Sequence, residues 1–234
     1  VGGVMSLARL LSQMERHLVR LEANLPGEMI PLARESWNRG GKRLRPLLHL
    51  SLAEAWGVAS PAVWPVALAL EGMHAASLLH DDVMDGARRR RGHPVFFRVH
   101  GSRTAILTGD FLLSAVLAPI VEEKNHDLNR LMVGLPWALS LGEYLQPRWP
   151  PVPLSRPLAS LEKQYGRSIE LKTARLFSAA AEAAAILAGF ALPLRRRAAG
   201  LGRELGRTFQ LRDDMLDYGL EGRETKTLGQ DFRN

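Results

Sequence analysis

Met73-His74-Ala75-Ala76-Ser77-Leu78-Leu79-His80-Asp81-Asp82-Val83-Met84-Asp85 runs from an apolar stretch straight into three carboxylates. Its apolar residues recur at helical spacing, so the segment reads as the end of a long helix covering about residues 61 to 85. Asp81 and Asp85 are four residues apart, which puts both carboxylates on one helix face. Like charges at that spacing cost a helix a few tenths of a kcal/mol. A hard divalent cation such as Mg²⁺ would offset that cost. A solvated helix end explains a single motif of this kind equally well.

The same pattern returns as Asp213-Asp214-Met215-Leu216-Asp217, after the apolar stretch from Leu205 to Leu211. Two acidic helix faces opposed across a bundle can hold metal between them. Charged residues are seldom placed on core helices without partners.

The three- and four-residue spacing continues almost throughout the chain, as in Leu7, Leu10, Leu11, Met14, Leu18 and Leu21. Alternating runs bounded by turn residues are nearly absent, so the chain is expected to be all-α. Helices are expected at about 4 to 24, 29 to 38, 43 to 57, 61 to 85, 102 to 122, 126 to 146, 156 to 190 and 195 to 218. Five of the 14 prolines lie between Pro147 and Pro157 and read as a rigid loop joining two helices. With similar helical sequence on both sides of that loop, residues 1–234 are expected to form a single domain.

The 234 residues are 46% hydrophobic and carry a net charge of +7. That length supports a sizeable core without staples. Zero cysteines exclude disulfides, a thiolate nucleophile and Cys-ligated metal, and they suit a cytoplasmic location. The longest apolar stretch, Ser178 to Leu194, carries Glu182 and is broken by Gly189 and Pro193, so no transmembrane segment is expected. The N-terminus lacks the pattern of a secretory signal.

Bases accompany the acids. Lys42, Arg43 and Arg45 lie in Gly40-Gly41-Lys42-Arg43-Leu44-Arg45-Pro46, and a second run spans Arg88 to Arg91, neither with an obvious carboxylate partner nearby in sequence. Diphosphate would explain both signs, because Mg²⁺ neutralises phosphate charge and Arg grips phosphate oxygens in a fork. In isolation, four consecutive arginines fit a solvated face or nucleic-acid patch better. Aromatic residues for single-strand stacking are not interleaved with them, and no nucleic-acid partner is expected. His80-Asp81 as the centre of a metal phosphohydrolase finds no support in the spacing of the other histidines.

At these residues the chain resembles the trans-isoprenyl diphosphate synthases of the polyprenyl synthetase family. Gly40 to Pro46 is similar to the family's isopentenyl diphosphate motif, and Leu78 to Gly92 to its first aspartate-rich motif. Gly109-Asp110, Lys172-Thr173-Ala174, Phe209-Gln210 and the second aspartate-rich motif follow in the family's order. The resemblance implies an antiparallel helical bundle of the isoprenoid synthase type around a deep central cavity, usually in a homodimer. It implies that Asp81, Asp85 and Asp213 ligate three Mg²⁺ ions on the allylic diphosphate, with Asp82, Asp214 and Asp217 in the outer sphere or as further ligands. Arg90, Lys172 and Lys226 would contact the allylic diphosphate, while Lys42, Arg45, His74 and Arg91 would hold isopentenyl diphosphate. Thr173 and Gln210 would border the reacting carbons.

The activity implied is Mg²⁺-dependent condensation of an allylic diphosphate with isopentenyl diphosphate. In the family, product length depends on residues one turn before the first acidic motif. Here Ala76 and Ser77 are small, and Met73 is flexible enough to line a tunnel without sealing it. A medium- or long-chain polyprenyl diphosphate is therefore expected, with peripheral membrane contact for long products. The alternatives are a farnesyl or geranylgeranyl diphosphate synthase, or a non-catalytic subunit of a heteromeric synthase; the second Asp-Asp-x-x-Asp weighs against a terpene cyclase. Three departures from the family pattern stand out. Asp217 to Lys226 is about one residue short. The segment before Ser155 is unusually proline-rich, and Gly229 to Asn234 ends where the family continues into another basic segment and several helices.

Overall fold

Ser6 accepts a hydrogen bond from the backbone of Arg9 and starts helix α1 (Leu7–Glu22), whose Leu10, Met14 and Leu18 form one buried stripe. The computed structural model describes residues 6–38, 41–90, 92–145 and 158–217, with the side chains of Leu158 and Asp217 outside that description. Of the expected site residues, Arg91 and Lys226 lie outside it, as does the whole proline-rich segment.

Helices α2 (Ile30–Asn38), α3 (Leu44–Ala55) and α4 (Val63–Met84) follow. The chain then makes a two-residue hairpin, β1 (Arg89–Arg90) with β2 (His93–Pro94), pairing Arg90 with His93, and a short helix α5 (Phe96–His100). This hairpin is a correction to the arginine run, which helical periodicity left without regular structure. Beyond it lie α6 (Ser102–Glu122), α7 (His126–Tyr144), α8 (Leu158–Ile169), α9 (Arg175–Leu187) and α10 (Leu192–Asp217). The helix expected at 156 to 190 is split by a π-helical turn, Glu170–Ala174, between α8 and α9.

Together these helices form one antiparallel bundle. Helix α4 is its axis, buried continuously from Val66 to Met73, and so belongs to two cores at once. Met73 joins Val116, Met132 and Leu176 in one, while Ala76 joins Trp37, Leu79 and Leu112 in the other. By length and composition α6 is apolar enough to cross a membrane, a feature that the expectation drawn from Ser178 to Leu194 did not register. Its Leu112, Val116 and Ile120 instead pack into the bundle.

The alanines of α9 allow close helix contact, and α10 packs directly on it. A Cβ on Gly202 would sit 2.3 Å from the Phe177 carbonyl oxygen, whereas one on Gly200 would meet nothing within 4 Å. Gly202→Ala should therefore cost about 1–3 kcal/mol by overpacking. Gly200→Ala should be neutral or stabilising, because alanine is the better helix former. Thermal unfolding of the two variants checks the contrast, and equal midpoints would contradict the packing described.

His49 is fully buried, its Nδ1 3.1 Å from the Ala180 carbonyl and its Nε2 3.1 Å from that of Val63. It thus lies between α3, α9 and the start of α4, and while neutral its one N–H donates to one of the two carbonyls. Burial depresses its pKa to about 4, with the two carbonyls opposing the shift. Unfolded, the ring takes up a proton near its ordinary pH of about 6.5. The stability it supports is therefore complete above that pH and is lost as pH falls towards 4. Chemical denaturation at a series of pH values should show wild type losing more stability over this window than His49→Gln; parallel curves would refute the assignment.

Candidate active site

The two acidic motifs end α4 and α10, and the π turn lies between them. Its Lys172 ammonium pairs with Glu143 of α7 and lies 3.6 Å from Asp81. The approach of α7 depends on Gly142, where a Cβ would fall 2.7 Å from the Leu171 Cβ. Glycine at this position brings Glu143 beside the lysine. On the other side, Thr173 Oγ1 donates to Gln210 Oε1 at 2.7 Å, and Gln210 Nε2 donates to Asp214 Oδ1 at 2.8 Å. The π turn therefore reaches the first motif through Lys172 and the second through Thr173 and then Gln210. Such turns recur at functional sites.

Burial is the main force on the Asp81 carboxyl; it raises the pKa to about 7, with Lys172 opposing and Glu143 and Asp85 adding to the rise. Asp85 is raised for the same leading reason, with Glu143 next. Burial would lower the Lys172 ammonium, but Asp81 and Glu143 outweigh it and hold its pKa above the usual value. Among the described residues, no three His, Asp or Glu side chains converge to hold one ion. The Asp81–Asp85 face and half-buried Asp213 belong to separate helix ends, so these acids do not form a ready-made cage. Crowded carboxylate oxygens nevertheless fit a hard divalent ion whose remaining ligands come from phosphate and water.

His80 Nε2 lies 3.1 Å from the Ile106 carbonyl and 3.5 Å from Asp110, and the ring fills space that a Gly109 Cβ would invade at 2.3 Å. The Gly109-Asp110 pair thus anchors the acidic end of α4 to α6. Asp82 is buried, and Arg90 donates to its Oδ1 from Nε at 3.0 Å and Nη2 at 2.8 Å.

That pairing corrects the view of the basic clusters as lacking carboxylate partners. Arg90 has Asp82, and Arg43 is buried against Glu71 and the Trp37 carbonyl. Glu71 is too far from Arg43 in sequence for spacing to reveal the pair. Lys42 is exposed and His74 half-buried. Arg45 is buried with its guanidinium carbon 5.0 Å from the Phe177 ring centre, and its Nε has no acceptor among the described residues. Burial lowers its pKa to about 10. Ser77 donates to the His74 carbonyl.

Two site residues escaped sequence reading. Glu143 carried only the weak signal of an acid following glycine near the end of an apolar helix. Tyr165, whose hydroxyl donates to Asp214 Oδ2, carried none.

The site thus sits in a mainly helical bundle in which a lysine of the π turn reaches one acidic helix end and a threonine, through Gln210, reaches the other. Comparison with known proteins then makes the assignment: residues 29–234 match the polyprenyl synthetase family, and the chain belongs to it. It is 35% identical over 194 residues to the octaprenyl diphosphate synthase of Escherichia coli (strain K12), covering 82% of this chain and 58% of that protein. It is 33% identical over 223 residues to the heptaprenyl diphosphate synthase component 2 of Geobacillus stearothermophilus, covering 95% of this chain and 68% of the relative. The crystal structure of a polyprenyl synthase from Caulobacter crescentus, complexed with calcium and isoprenyl diphosphate, superimposes with a TM-score of 0.83 at 34% identity. That match covers 100% of this chain and 72% of the other, and the fold is that of the isoprenoid synthases.

Proposed function

We propose that the protein is a Mg²⁺-dependent trans-prenyltransferase that condenses an allylic diphosphate with isopentenyl diphosphate. The observation carrying this reading is the π turn, which pairs Lys172 with Asp81 and links Thr173 through Gln210 to Asp214. Asp81, Asp85 and Asp213 would hold Mg²⁺, three ions in all, which would supply Lewis-acid stabilisation of the departing diphosphate. Lys172 exchanges its carboxylate partners for that diphosphate, and Arg90 lies at the same rim. Lys42, buried Arg45 and His74 hold isopentenyl diphosphate; the Arg45 Nε has no acceptor among the described residues. As the allylic C–O bond breaks, its electrons leave with diphosphate, and the oxygen dipoles of Thr173 and Gln210 face the resulting cation. The double bond of isopentenyl diphosphate attacks, a proton passes to released diphosphate, and apolar walls keep water from the cation.

The product is a medium- or long-chain polyprenyl diphosphate. Small Ala76 and Ser77 support this, as do relatives named for octaprenyl and heptaprenyl products. Ala76 is packed against the cluster of Trp37, Leu79 and Leu112, so Ala76→Phe must displace that packing, and in a variant that folds it should shorten the main product while preserving the first condensation; an unchanged distribution from a folded, active variant would show that Ala76 does not gate length. Exposed Leu107 of α6 and Val133 and Trp137 of α7 support a homodimer, in which apolar α6 faces a second copy. The location is cytoplasmic. A second reading, as one subunit of a two-component synthase, is favoured by the heptaprenyl component 2 relative. Incubating the full-length protein with radiolabelled isopentenyl diphosphate, an allylic primer and Mg²⁺, then sizing products, tests both. Product from this polypeptide alone supports the first reading, and product only on adding a second polypeptide supports the other.

A further inference from the structure

Thr173, Gln210, Asp214 and Tyr165 form one continuous chain of hydrogen bonds across the π turn, α10 and α8. Its polarity is fixed from one end. A carboxylate only accepts, so Gln210 must turn its NH₂ group to Asp214. The Gln210 carbonyl is thereby committed to Thr173, whose hydroxyl must spend its only proton there. Any further group approaching Thr173 Oγ1 meets lone pairs and no proton. Tyr165 donates to the other oxygen of Asp214, so both carboxylate oxygens are held by named donors. In a half-buried setting such a chain polarises along its length, and the carboxylate deepens the negative end of each dipole.

We propose that Tyr165 and Asp214 are positioning residues that fix Thr173 Oγ1 as a lone-pair dipole towards the allylic cation. The inference rests on the prenyl-transfer reading above. Neither residue needs to touch substrate. The chain acts only when the C–O bond ionises, by opposing positive charge at carbon with a hydroxyl that cannot turn its proton inward. A freed hydroxyl would rotate, and an amide at 214 could donate to the Gln210 oxygen and reverse the order.

The test is steady-state kinetics on the full-length enzyme carrying Asp214→Asn, Tyr165→Phe, Thr173→Val, Thr173→Ser and the double variant Thr173→Val/Asp214→Asn. Losing a preorganised dipole should lower kcat on the order of 10- to 100-fold in Asp214→Asn and Thr173→Val, with KM for both substrates little changed. Tyr165→Phe should fall in the same direction by less, and Thr173→Ser should lose far less than Thr173→Val. The double variant should be no slower than Thr173→Val, because Asp214 acts through the hydroxyl already removed. Multiplicative losses in the double variant would overturn the proposal, as would an Asp214→Asn defect rescued by excess Mg²⁺. If Asp214→Asn fails to fold, Tyr165→Phe with and without Thr173→Val makes the same comparison. An inactive wild type would refute the prenyl-transfer reading itself, whereas an active wild type with multiplicative losses refutes only this inference.

Discussion

Asp81→Asn is expected to lower turnover by roughly two orders of magnitude or more, with no matching loss of stability. Asp213→Ala should show a comparable defect. On the proposed function, the catalytic effect would follow from losing an anionic group beside the departing diphosphate, a change of several kcal/mol in transition-state stabilisation. Stability should be spared because Asp81 is a strained group in the folded protein. Burial raises its pKa to about 7, and Glu143 and Asp85 crowd it further. Asparagine removes that crowding, and Lys172 retains Glu143. Active sites hold such destabilising arrangements as part of their function. Kinetics beside thermal unfolding check the pair of outcomes, and a stable variant with near-normal turnover would remove Asp81 from the machinery.

Glu71→Ala is expected to act in the opposite way, through the fold. Glu71 sits within the buried stretch of α4 and pairs with Arg43, itself buried. Removing one partner leaves a guanidinium in the interior, which costs about 3–5 kcal/mol. For a chain of this length that lowers the melting temperature on the order of 10 °C. Arg43→Met combined with Glu71→Leu should be more stable than either single variant, since no charge is then left alone. Thermal denaturation of Glu71→Ala, Arg43→Met, Glu71→Leu and the double variant is the check, and additive losses in the double would mean that the pair is not coupled.

The helices were legible because apolar spacing is local, and the two Asp-Asp-x-x-Asp motifs were legible because their repetition is rare on core helices. What stayed hidden depends on contacts between distant segments. Glu71 reaches Arg43 across 28 residues, and Gln210 reaches Thr173 across 37. The π turn left no mark, because one extra residue in a helical turn hardly alters apolar periodicity. Arg90 looked like a free phosphate ligand because its partner, Asp82, belonged to a motif already assigned to metal. The hairpin turns the arginine run back on that aspartate. Glycines at 142 and 202 were equally silent, and the resemblance marked Gly109 without its reason, since the meaning of each lies in the atoms that a Cβ would strike.

On the proposed function, the acidic helix ends and the π turn together make one site for metal-dependent prenyl transfer. The most direct test follows released inorganic diphosphate and radiolabelled isopentenyl diphosphate in one reaction of the full-length protein. The account predicts one diphosphate released per isopentenyl unit incorporated, only when Mg²⁺ and both substrates are present. Release from the allylic substrate without carbon–carbon bond formation, or incorporation that persists in excess chelator, would contradict it.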